Sequence, residues 1–193
     1  MDEVTYLKSI DPIMSNLIDQ FGHVTLAKKG GDFSSLVEII VSQQLSTKAS
    51  KTIYNRWIEL FRSKEITAMN ALAIPVMEVQ SIGLSAAKTS YIAQLAELLV
   101  NNPDFLTDLN NFDDMVIFKS LTNIKGVGPW TAYIFMMFNL GKENIFPEGD
   151  VSLQKAIREL YQLNPDEYGD LIKTWTPYCS TACLYLWRWV DQC

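Results

Sequence analysis

The run Lys125-Gly126-Val127-Gly128-Pro129-Trp130 restricts this chain more than any other stretch. Two glycines around one apolar residue allow a tight turn through φ > 0, and proline at a first helical position lacks only an N–H that would have no intrahelical partner there. The expected product is a hairpin opening directly into a helix, with backbone N–H groups at the positive helix end. Such a row is an anion site that needs no basic side chain. Farther on, Asp150 follows Pro147-Glu148-Gly149 and precedes the amphipathic run Val151-Ser152-Leu153-Gln154-Lys155-Ala156-Ile157. That order places one carboxylate at or near a second helix N-terminus, where its ionised form is favoured.

The remaining periodicity is helical. Leu7, Ile10, Ile13, Met14, Leu17, Ile18 and Phe21 repeat at three and four, predicting one helix over 3–21 ended by Gly22. After a loop over 23–31, Phe33–Gln44 predicts a second helix, and Ser46-Thr47 caps a third through Ile53, Trp57, Leu60 and Phe61. Pro75 starts a short helix, and Ser85 caps another after the turn Ile82-Gly83-Leu84. That turn echoes the central hairpin in weaker form and reads as structural, with Lys88 as a further candidate for a phosphate contact. One or two helices fill 105–121, and three more patterns span 151–163, 165–175 and 180–191. No segment alternates as a strand, so the expected class is all-α.

Length suits one domain or two small lobes, because 193 residues at 48% hydrophobic and 20% charged can bury a sizeable core. The net charge of −6 argues against a nucleic-acid partner, which usually recruits clustered Lys and Arg. Local pattern opposes that vote: Lys119, Lys125, Lys142, Lys155 and Arg158 fall around the hairpin and Asp150, while acids such as Asp104, Asp108, Asp113, Asp114, Asp166, Glu167 and Asp170 gather elsewhere. The single histidine, His23, has no neighbours that would build a metal site or triad. Cys179, Cys183 and Cys193 form an odd set without a secretory signal, which predicts an intracellular, reducing location, cytoplasmic in a bacterium or nuclear in a eukaryote. No apolar run reaches the length of a membrane span.

Four ordered segments, Ser42-Gln43-Gln44-Leu45-Ser46, the hairpin with Trp130-Thr131-Ala132, Asp150, and Trp175 to Trp187, resemble the helix–hairpin–helix (HhH-GPD) DNA glycosylase superfamily, in particular its 3-methyladenine DNA glycosylase II branch. The likeness runs from about residue 33 to 190. It implies a two-lobed helical unit with the active site in the cleft between lobes, one lobe from about 1–22 plus 111–193 and the other from about 33–110. It also implies a monomer whose partner is double-stranded DNA containing damaged bases, with no membrane involved.

The same resemblance assigns roles. Asp150 becomes the catalytic carboxylate; a plain helix cap is the alternative, and the two are compatible. Trp130 and Trp187 would line the base pocket, with Tyr178 and Tyr185 as looser candidates, while Trp175 and Trp189 read as core. DNA contacts fall on Gln43, Gln44, Ser46, Lys125, Gly126, Val127, Gly128 and Thr131. Gln44 would fill the gap left by a flipped nucleotide, against the alternative that both glutamines satisfy helix-end groups. Lyase relatives carry a lysine at the position of Trp130, so a monofunctional enzyme is expected here. No cofactor is required. The family's Na+ or K+ would fall on the carbonyls of Thr122, Ile124 and Val127, and three cysteines do not supply the four ligands of the iron–sulfur cluster that some relatives carry. Departures are expected to affect substrate range: only some thirty residues precede the matching stretch, so the N-terminal β-rich domain of some members is not expected here, Gly149 stands where they have a second acid, and Ile134 where they have a pocket aromatic. The expected substrate is 3-methyladenine, then 7-methylguanine. A uracil or mismatch glycosylase and a non-catalytic DNA-binding module are the competing readings.

Overall fold

The structure is a computed structural model that describes residues 2–28, 30–62 and 64–192. Among these residues every regular element is helical. In chain order they are α1 (Glu3–Ile10), α2 (Pro12–Phe21), α3 (Phe33–Ser42), α4 (Thr47–Glu59), α5 (Ala68–Leu72), α6 (Val76–Ser81), α7 (Ala86–Asn101), α8 (Phe105–Asp108), α9 (Asp114–Thr122), α10 (Pro129–Phe138), α11 (Val151–Tyr161), α12 (Tyr168–Thr174) and α13 (Cys179–Val190). Single 3-10 turns at Leu109–Asn111 and Pro165–Glu167 precede α9 and α12. No helix among the described residues is long and apolar enough to cross a membrane.

Local chemistry accounts for most boundaries. Asp2, Asp32, Ser46, Thr67, Ser85 and Asp150 each accept an N–H from the first turn of the helix they precede. The single helix expected over 3–21 is two helices. Pro12 has no N–H to continue α1, and the Asp11 carboxylate instead caps α2 by accepting from Ile13 N at 2.9 Å and Met14 N at 3.0 Å. The second helix ends at Ser42, short of the glutamines.

The chain divides into two compact units, Met1–Lys28 with Met136–Cys193, and Lys29–Phe135. In the first, α13 is the central element, packed on α1, α2 and α11, and most of its length is buried. Its core includes Leu7, Met14, Met137, Leu153, Ile157, Trp175 and Leu186. In the second, α7 is the hub, packed on α3, α5 and α6, with Leu36, Ile40, Trp57, Leu95, Ile117 and Leu121 buried. Residues 111–135, expected with the first lobe, cluster here with the second unit. The hairpin backbone lies against the Tyr91 ring of α7 and is bonded to Gln43 after α3.

Candidate functional site

Asp150 is the N-cap of α11 and is 9% exposed. Its Oδ1 accepts the backbone N–H of Leu153 at 3.0 Å and the indole N–H of Trp187 at 3.2 Å. The carboxylate is therefore held by a helix amide and by a side chain from α13. Trp187 is half-buried and stacks on Phe138, with ring centroids 6.0 Å apart. The approach to Asp150 is also fixed: Asp150 N–H donates to Pro147 O, and the Gln154 amide donates to Glu148 O. Ser180, fully buried in α13, donates to Lys142 O and accepts from Ile145 N, while its own N–H reaches Glu143 O. These bonds pin the segment 142–145 that leads toward the carboxylate. Nearby, burial first, then the Cys179 thiol and the Asp150 carboxylate, push the Cys183 thiol well above its ordinary pKa, which keeps it neutral.

The hairpin belongs to the second unit. Gly126 has φ +88, and a Cβ there would meet Cδ2 and Cγ of Tyr91 at 2.3 Å, so both the turn and the close approach require glycine. Gly128 is exposed, and a Cβ on it would meet nothing within 4 Å. Val127 N–H closes the turn onto Ile124 O at 3.0 Å. The N–H groups of Gly126 and Gly128 have no acceptor among the described residues. Lys125 is exposed, and Trp130 is half-buried in the first turn of α10.

The paired glutamines sit beside this hairpin in the same unit. Gln43 has φ −50 and ψ 127, Gln44 has φ +56, and Leu45 N–H donates to Ser42 O at 3.1 Å. These are the features of a type II turn, whose third position ordinarily takes glycine or asparagine. Gln44 occupies it with a full side chain, exposed to solvent. Gln43 Nε2 donates to Gly126 O and to Thr131 Oγ1, 2.8 Å each, so both its amide hydrogens are engaged inside the protein. Ser46 is exposed and caps α4. Lys88, which follows a turn read as structural and is a further candidate for a phosphate contact, donates its Nζ to Val41 O and Gln43 O, 2.7 Å each, and burial lowers its pKa. Its ammonium serves the end of α3.

Other expected residues take other tasks. Tyr185 is fully buried, donating to Gly22 O at 3.0 Å and accepting from Val24 N at 3.3 Å, so it fastens the chain leaving α2 and offers no surface to a base. Tyr178 is half-buried with its ring edge-on to Tyr6. Trp175 is core, donating to the buried Asp11 carboxylate, which also accepts from Tyr161 OH. Trp189 is half-buried. His23 is exposed in the loop after α2. Cys179 and Cys183 are buried thiols, and Cys193 lies outside the described residues.

A family model described as HhH-GPD superfamily base excision DNA repair protein matches residues 37–176. Bacillus subtilis YfjP, whose name places it among DNA-3-methyladenine glycosylases, is 27% identical over 188 residues, 92% of this chain and 66% of that protein. A crystal structure of a DNA-3-methyladenine glycosidase from Bacillus halodurans is 33% identical and covers 98% of this chain and 89% of its own, with a TM-score of 0.85. The 3-methyladenine DNA glycosylase Mag1 of Schizosaccharomyces pombe, solved with abasic DNA, shares the fold at 22% identity and a TM-score of 0.86, over 97% of this chain and 96% of its own.

Proposed function

The chain belongs to the HhH-GPD superfamily of base excision DNA repair proteins, and we propose that it is a monofunctional DNA glycosylase that removes alkylated purines from double-stranded DNA and leaves an abasic site. The observation that carries the reading is Asp150, a buried carboxylate held by the Leu153 amide and the Trp187 indole. As the N-glycosidic bond breaks, its electron pair leaves with the base and the sugar develops oxocarbenium character, which a fixed negative charge stabilises. Water then adds to the anomeric carbon, and the carboxylate accepts the proton it loses. An alkylated purine that already carries positive charge departs neutral, so a strong general acid is dispensable. The relatives named for 3-methyladenine support that base as substrate, with 7-methylguanine next.

Trp130 stands where a lyase needs its amine, so no Schiff base can form at that position. In this reading its indole stacks on the electron-poor base, worth about 1–2 kcal/mol once desolvated. The exposed turn presents Gln44 as the side chain that replaces the everted nucleotide, and its left-handed backbone is the kind of strain found at functional positions. The Gly126 and Gly128 amides bind a phosphate beside Lys125. A monovalent cation fits the hairpin: the Thr122 and Val127 carbonyls accept nothing among the described residues, and the Ile124 carbonyl accepts one hydrogen bond, leaving a neutral oxygen set. Bound there, Na+ or K+ would add positive charge on the phosphate side of the turn.

Defined duplexes carrying 3-methyladenine, 7-methylguanine or uracil test the proposal, with released base quantified by chromatography and strands examined before and after alkali. The expected result is release of the alkylpurines and strand cleavage only after alkali. Release of uracil alone, cleavage without alkali, or binding without release would each contradict it.

A further inference from the structure

Two features assigned above to DNA contact, the Gln44 turn and the glycine hairpin, are tied together by residues that point into the protein. Lys88 and Tyr91 lie three apart on α7 and so share one face of that helix. Lys88 Nζ grips Val41 O and Gln43 O at 2.7 Å, at the C-terminal end of α3 where carbonyls lack helical partners. Tyr91 presses its ring against the hairpin at Gly126. Between them Gln43 bridges the two features directly, with one amide group bonded to Gly126 O and Thr131 Oγ1. A turn that holds a non-glycine residue at φ +56 relaxes unless its surroundings over-determine it, and these bonds supply that constraint.

We propose that Lys88, Gln43 and Tyr91 are positioning residues, which hold Gln44 projecting from its strained turn in fixed register with the hairpin. The inference rests on the glycosylase reading and on Gln44 as the residue that replaces the flipped nucleotide. Lys88 acts through Gln44 and touches no DNA. The clamp should therefore matter in proportion to the work of opening a base pair.

The experiment measures single-turnover release of 3-methyladenine from two duplexes, one with the base paired to thymine and one with it opposite an abasic-site analogue, where no pair must be broken. Lys88→Met is expected to slow release from the paired duplex about tenfold or more and from the unpaired duplex by less than about threefold, the size of loss that a modest misplacement produces. Gln44→Ala should show the same split, and the double variant should be no slower than Gln44→Ala within about twofold, because both changes remove one function. Lys88→Arg, which keeps donors for both carbonyls, should restore most of the paired-duplex rate. Should Lys88→Met fail to fold, as judged by circular dichroism, Gln43→Met removes the bridging donors at similar size and faces the same comparison. Equal losses on both duplexes, full additivity with Gln44→Ala, or no loss at all would overturn the inference. Wild-type release from neither duplex would refute the glycosylase reading and remove the premise with it, whereas wild-type release without the split refutes the clamp alone.

Discussion

The indole of Trp187 meets Asp150 through its N–H, while its ring face stacks on Phe138. A residue expected to line the base pocket is thus also the group that orients the carboxylate. Trp187→Phe keeps an aromatic ring over Phe138 and deletes the donor. Loss of a hydrogen bond to a charged group is worth about 1.5–3 kcal/mol, so the single-turnover rate of base release should fall roughly tenfold or more. DNA affinity, measured by anisotropy on an uncleavable duplex, should stay near the parent value. A fall in affinity with an unchanged rate would instead leave stacking as its only task. Tyr185 shows why residue type alone misleads: it stands in the stretch that resembles the family, yet it is fully buried with its hydroxyl bonded to Gly22 O and Val24 N just after α2, while Trp175, read as core, is core and bonded to Asp11 between α1 and α2. Nothing in the local spacing marks those partners, because Trp175 reaches Asp11 across 164 positions. Ser180 was missed for a related reason; a small hydroxyl inside an apolar helix pattern reads as neutral, yet it pins the segment leading to Asp150.

At the scale of elements, caps and breakers were legible because their chemistry is local. Ser46, Ser85 and Asp150 cap the helices they were expected to cap. The Asp11-Pro12 break was equally legible in principle, but the apolar repeat on both sides hides it. The hairpin supports a prediction that separates folding from binding. Gly126→Ala forces a side chain onto φ +88 and into the Tyr91 ring, and should cost more than about 1 kcal/mol in urea unfolding. Gly128→Ala meets open space and should stay within about 0.5 kcal/mol, yet weaken DNA binding because the added methyl stands where phosphate would approach. Equal effects of both substitutions on binding and on stability would argue that the turn is structural only. The half-buried contact of Tyr161, at the end of α11, with Asp11, the N-cap of α2, carries a pH signature. Burial, then the hydrogen bond to Asp11 and its charge, raise the Tyr161 pKa above the ordinary tyrosine value of about 10. The folded state then holds its proton where the unfolded chain releases it. Stability from this group is complete below about pH 10 and declines as pH rises through the alkaline range toward the folded value. Tyr161→Phe should lessen that decline in unfolding midpoints recorded across alkaline pH. Tyr54 and Tyr185 shift the same way, so some decline should persist, and a slope unaltered by the substitution would contradict the assignment.

For the molecule as a whole, the helical class and the central hairpin followed from periodicity and from two glycines before a proline, whereas the grouping of 111–135 did not. That grouping depends on contacts such as Gln43 to Gly126, 83 residues apart, which no window of sequence contains. The charge of −6 would by itself have turned the reading away from DNA. Under the proposed function, two backbone amides at the hairpin, with exposed Lys119 and Lys125 in the same unit, are what this acidic chain would offer a phosphate. The proposed chemistry depends on the charge of one side chain, and Asp150→Asn isolates it. Asparagine caps a helix about as well as aspartate, so thermal stability should change by less than about 1 kcal/mol and DNA affinity should hold. Single-turnover release of 3-methyladenine from duplex DNA by this variant, beside the parent protein, is the most direct measurement. A fall of about a hundredfold or more is the predicted result, and release near the parent rate by the folded, DNA-binding variant would contradict it.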